Sequence, residues 1–145
     1  MFIKQEVDRK MNSATNLFIV KKSKEYNCPD NNFTSVTINQ LLSNALSGFM
    51  EKNKDNPNLE LYDCKLLVID DFQDCNGKEA TQGIIIDILQ YRINKGLFTH
   101  LLSDYDYSDL KYISQKLNDL IIENFKISWR TASLNGSSSS YYQYF

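Results

Sequence analysis

The chain has 145 residues, 42% of them hydrophobic and 23% charged, with a formal net charge of −2. That is the length of one ordinary domain, with enough apolar side chains to bury a core. The slightly acidic balance excludes an overall basic nucleic-acid footprint, and no apolar run reaches the roughly 20 residues that span a bilayer.

The first ten residues, MFIKQEVDRK, are charged throughout, which is not the pattern of a secretory leader, so a cytoplasmic location is expected. Cys28, Cys64 and Cys75 are widely spaced, form no CxxC pair and share the chain with one histidine, His100. Reduced thiols are expected, rather than a zinc site or a disulfide framework.

Residues 3–14 read as a short polar helix. NLFIV (16–20) reads as a strand, and the polar stretch 21–32, broken by Pro29, as a loop. FTSVT (33–37) alternates and is β-branched, which predicts a second strand. From Ile38, the apolar residues Leu41, Leu42, Ala45, Leu46, Phe49 and Met50 keep the spacing of an amphipathic helix capped by Thr37. Residues 52–58 end it.

KLLVID (65–70) predicts a strand and 74–80 a loop. A helix over 83–96 lines up Ile85, Ile86, Leu89 and Ile93 and stops at Gly96. Residues 97–103 predict another strand. Ser108 to Phe125 predicts a helix whose inner face is Leu110, Ile113, Leu117, Leu120 and Ile121, and 126–129 a final short strand. Residues 1–132 form one domain on this reading, and the Ser/Tyr-rich residues 133–145 a flexible tail.

Strands alternating with helices predict parallel crossover units, an α/β fold. The unbroken apolar run Leu66–Ile69 fits a central strand buried on both faces. It runs straight into Asp70 and Asp71, whose like charges repel and are costly to bury without a compensating cation. Ligands of such sheets bind beyond the carboxyl ends of the strands, where Asp70, Asp71, Ser103 and Asp104 all fall.

LLVIDDF, followed after a gap by QYRINKGLFTHLLSDYDYSDL, resembles the AAA+ domain of bacterial helicase loaders of the DnaC/DnaI type and their transposon-encoded IstB-like relatives. Tyr91, Arg92, Asn94, Gly96, Leu97, Thr99, Ser103 and Leu110 stand at matching positions, and FTSVTINQLLSNAL resembles the preceding strand and helix. The resemblance covers roughly residues 33–130. It implies a truncated or degenerate AAA+ (P-loop NTPase-like) core, a three-layer parallel sheet with helices on both faces.

The same resemblance implies roles. Asp70 would face a magnesium ion and Asp71 would be the second acid of a Walker B pair. Asp104 stands where the family's sensor carries Asn; an ionised Asp accepts hydrogen bonds but cannot donate one to a phosphate. Asp71, Asp104 and Arg92 fall in catalytic places, Arg92 being the candidate for contact with phosphate or a neighbouring subunit. The alternative for Arg92 is a solvated charge at a helix end. Ser103 and Arg130, the latter near a second sensor, fall in cofactor-binding places. Magnesium and ATP or ADP are the implied cofactors. A replicative helicase or helicase loader is the implied partner, within an oligomer. Single-stranded DNA, through Lys10, Lys21, Lys22 and Lys24, is a further one, although charge runs on loops are usually just solvated.

One part is missing. The motif G-x-x-x-x-G-K-S/T that cradles nucleotide phosphates does not occur, and of the five glycines only Gly77 precedes a Lys, which is followed by Glu79. The chain is therefore expected not to bind or hydrolyse ATP with normal affinity. On this reading the sequence is expected to begin about where the P-loop helix would lie, with Asp70 and Asp71 left as a relic or a solvated strand end. Three functions remain open: a loader-like replication protein acting by protein contact, a magnesium-dependent phosphotransfer enzyme using Asp70, Asp71 and Asp104, or an interaction module without a ligand site.

Overall fold

Strand β1 (Leu17–Val20) is buried at every position. In the sheet order β2-β3-β4-β1-β5-β6 it lies between β4 (Phe98–Ser103) and β5 (Lys126–Ala132). The structure, a computed structural model, describes residues 15–21, 32–50, 58–132 and 138–143; the helix expected over 3–14 and most of the loop expected over 21–32 lie outside them.

On the far side of β4 come β3 (Leu66–Asp70) and the edge strand β2 (Thr34–Thr37). These five strands pair in parallel. Leu66 to Ile69 are all buried, although their side chains alternate between faces, so both faces of the sheet are covered. The α/β class and the parallel sheet stand as expected.

Helix α1 (Ile38–Met50) begins in a reciprocal cap. The Thr37 N–H donates to Gln40 Oε1 at 2.9 Å, and the Gln40 N–H donates to Thr37 Oγ1 at 3.1 Å. A short helix not expected from the sequence, α2 (Leu59–Asp63), precedes β3. Helix α3 (Glu79–Asn94) starts earlier than expected and ends two residues before Gly96, whose φ of 73° is the left-handed turn that glycine makes without strain. The crossovers from β2 to β3, β3 to β4 and β4 to β5 all advance across the sheet in one direction, opposite to that from β1 to β2, so right-handedness places α1, α3 and α4 (Gln115–Asn124) on one face.

Two corrections concern the last third. The helix expected over 108–125 is shorter. A 3-10 turn, Tyr107–Asp109, comes first, and α4 starts where Ser114 Oγ accepts the Leu117 N–H at 3.3 Å. The stretch expected to be a flexible tail supplies a strand, β6 (Ser138–Gln143), antiparallel to β5 from Ile127↔Gln143 to Ala132↔Ser138.

Candidate functional site

The parallel register lines up three strand ends. Val20 of β1 pairs with Ser103 of β4, and Ile69 of β3 pairs with Leu101. The residues just past those pairs, Lys21, Asp70 and Asp104, therefore share one edge. Lys21 Nζ lies 2.7 Å from Asp70 Oδ1, 3.5 Å from Asp71 Oδ1 and 3.7 Å from Asp104 Oδ1. The cation that the paired acids require is a side chain of this protein. Asp70 and Asp71 are thus not bare solvated strand ends, and Lys21 is no merely solvated loop charge. The four groups are 30–40% exposed, so water screens part of the attraction.

The geometry around the ammonium is fixed from the backbone outward. Asp70 Oδ1 also accepts the Asp71 N–H at 2.7 Å. Asp71 has φ 56°, the one non-glycine with positive φ among the described residues, and its carbonyl accepts the Asp74 N–H at 2.9 Å as a 3-10 turn, Phe72–Cys75, begins. Aspartate enters this left-handed region more readily than most residues. Gln73 then reaches across to β4: its Nε2 donates to Asp104 Oδ2 at 3.3 Å and its Oε1 accepts the Asp104 N–H at 3.1 Å. The hydrogen bond to Asp70 raises the Lys21 ammonium above its ordinary range, helped by the charges of Asp70, Asp104 and Asp71 and opposed by burial.

Of the residues singled out in the sequence, Asp70, Asp71 and Asp104 come together. Ser103 lies beside them, but its hydroxyl is used within its own turn, donating to the Tyr105 carbonyl at 2.7 Å and accepting the Tyr105 N–H at 3.0 Å. Arg130 sits in β5 opposite Ser140, and its side chain is outside the description. Among the described residues no group of three His, Cys, Asp or Glu side chains is arranged to hold a metal ion.

Arg92 is a correction. It is fully buried at the amino ends of β3 and β4, the opposite edge of the sheet. Nε donates to Thr99 Oγ1 at 2.9 Å. One terminal nitrogen donates to the carbonyls of Leu61 at 2.9 Å and Cys64 at 2.8 Å, and the other to that of Phe98 at 2.7 Å. It is neither a solvated helix-end charge nor placed to reach phosphate or a neighbouring subunit. Burial lowers its guanidinium from the ordinary arginine range, partly offset by Cys64 and Asp63.

Sequence reasoning missed Gln73 and the role of Lys21. The available signal was position alone: Lys21 directly follows LFIV, and a central place for that strand puts its next residue at the acid edge. The segment that joins β1 to β2, residues 21–33, contains no glycine.

No protein-family model matches the sequence, and no curated protein matches it. Solved structures do. Domain III of the Thermotoga maritima replication initiation protein DnaA superposes with a TM-score of 0.63 at 20% identity, over 85% of this chain and 57% of that one. A replication initiator DnaA bound to AMPPCP and single-stranded DNA gives a TM-score of 0.63 at 15% identity, over 86% of this chain and 43% of that one. AMPPCP-bound DnaA from Aquifex aeolicus gives 0.61 at 14%, over 87% and 44%. This chain thus spans about half the length of the structures it matches. At such identities the likeness speaks to fold alone: the described α/β core has the fold of these DnaA structures.

Proposed function

We propose that this chain is a replication-associated AAA+-like protein that works by protein contact, without ATP turnover, on a replicative helicase or helicase loader. The observation that carries the reading is the Lys21 ammonium held by Asp70, with Asp71 and Asp104 close by, at the edge where such folds bind nucleotide. An ATP-bound magnesium ion would have to displace a tethered cation. The acids themselves repel triphosphate, and residues 21–33 offer no glycine-rich cradle to offset that repulsion. Nucleotide and single-stranded DNA are bound by DnaA structures of this fold; for this chain we propose weak nucleotide binding at most, and no DNA contact on the acidic edge.

Calorimetric titration of the whole chain with ATP and magnesium tests this. Little or no heat is expected, whereas tight magnesium-dependent uptake would restore a nucleotide-handling role. Capture of a replicative helicase or loader by the immobilised chain is the positive counterpart. A second reading, magnesium-dependent phosphotransfer by Asp70, Asp71 and Asp104, would need those acids to release Lys21 and regroup, since as they stand they face the ammonium and are not arranged to hold a metal ion; uptake of magnesium alone would favour it.

A further inference from the structure

We propose that the paired loops beyond β3 and β4, residues 71–78 and 104–114, form a preorganised acidic and aromatic docking surface for an arginine-rich protein segment. The proposal rests on the contact function above and names the surface and the chemistry of its partner.

Two tyrosines stand out from these loops. Tyr112 is 73% exposed and Tyr105 50%. Yet the backbone of Tyr112 is held from several sides. Its N–H donates to Asn76 Oδ1 at 2.8 Å, and its carbonyl accepts the Gly77 N–H at 3.1 Å and Gln82 Nε2 at 2.9 Å. Gln82 is buried on α3 and ties both loops at once: Nε2 also donates to the Cys75 carbonyl at 2.8 Å, and Oε1 accepts the Ser114 N–H at 2.8 Å. Gln73 adds its double bond to Asp104. Below the surface, Tyr107 packs edge-on against Phe18 at 5.2 Å and its hydroxyl donates to Asn118 at 2.6 Å.

A loop that spends this much hydrogen bonding on its backbone while displaying a large ring has already given up the freedom that binding would remove. Tyrosine displayed rigidly is the side chain that interfaces favour. The charge chooses the partner. The loops carry Asp71, Asp74, Asp104, Asp106 and Asp109 against Lys78 and Lys111, and with Lys21 beside Asp71 and Asp104 the acids still outnumber the cations. Such a surface repels phosphates, which excludes nucleic acid here, and attracts cations. Between the two cationic side chains, guanidinium both stacks on tyrosine and pairs with carboxylate in a planar fork, while ammonium is a compact hydrated charge.

The test uses the full chain with an octa-arginine peptide, an octa-lysine peptide and an oligothymidylate as probes. Amide chemical shifts should move in 71–78 and 104–114 with the arginine peptide, which should bind more tightly than the lysine one. Tyr112→Ser should weaken that binding about fivefold with an unchanged melting temperature, since the ring is exposed. Shifts confined to other surfaces, equal affinity for both peptides, unaltered affinity in Tyr112→Ser, or oligothymidylate bound on these loops would each overturn the proposal. ATP uptake in the calorimetric titration would instead overturn the contact-only reading and leave a positive peptide result standing, so the two failures are distinguishable.

Discussion

Lys21 Nζ and Asp70 Oδ1, 2.7 Å apart, join the carboxyl ends of two strands that are not neighbours, since β4 lies between β1 and β3. The pair therefore spans the strand that carries Asp104. Lys21→Met keeps the side chain's length and removes its charge, leaving the acids to repel one another. Because the groups are partly exposed, the expected loss is only about 1 kcal/mol in urea unfolding at low ionic strength, and salt should reduce the difference. The folded ammonium is raised from its ordinary 10.5, so this contribution is full below that value and is lost as pH climbs through the folded value. Adding Asp70→Asn to the Lys21 variant should recover stability, because one repelling charge is gone. A Lys21→Met chain as stable as the wild type at low salt would show that the ion pair holds nothing.

Asp71 makes a separable backbone contribution. At φ 56° a β-carbon is strained, and glycine is not. Asp71→Gly and Asp71→Ala both delete the carboxylate 3.5 Å from Lys21, so the difference between them isolates the strain. The Gly variant should be the more stable by about 1 kcal/mol in denaturant unfolding, despite its more flexible unfolded chain. Equal stabilities would mean that the left-handed turn relaxes in the Ala variant.

Much of this architecture is legible in the residues. Leu66 to Ile69 announce a strand covered on both faces, and Thr37 announces the cap of α1, to which the structure adds Gln40. What is not legible depends on order in space. Lys21 looks like one of several lysines on a polar loop until β1 is known to lie beside β4. Arg92 looks like an ordinary helix-end cation because its acceptors come from residues 61–64 and 98–99, on other elements. The start of α4 moves from Ser108 to Gln115 because Ser114 is the serine whose hydroxyl meets a helical N–H, that of Leu117. The serine run in β6 has no hydrophobic alternation to announce a strand, and its pairing with β5 is a backbone property.

For Arg92 the structure predicts a stability effect. Lysine at this position cannot supply five donors in a planar fork, so carbonyls of Leu61, Cys64 or Phe98 would be left unpaired in a buried place. Arg92→Lys should cost about 2–4 kcal/mol in urea unfolding, with early loss of hydrogen-exchange protection in α2. A variant of wild-type stability that fails only in binding a partner would return Arg92 to the interface role.

Alkaline pH should destabilise the fold, beginning with Cys75. Burial pushes this thiol up from 9.0 to about 12, and burial also raises the Tyr107 hydroxyl, while the hydrogen bond to Asp70 raises Lys21. All three bind their proton more tightly folded than unfolded. As pH rises the unfolded chain therefore loses protons first, and stability falls. The Cys75 contribution spans the window from about 9 to about 12, with a limiting slope of roughly 1.4 kcal/mol per pH unit. Tyr107 and Lys21 add to it from their ordinary values of 10.0 and 10.5 upward, above the interval in which Cys75 acts first. Cys75→Ala should lower stability at neutral pH by about 1 kcal/mol through lost packing, yet flatten the decline between pH 9 and 10. Urea midpoints measured across that interval for both chains decide the matter: parallel declines would show that the thiol does not titrate in the way its burial requires.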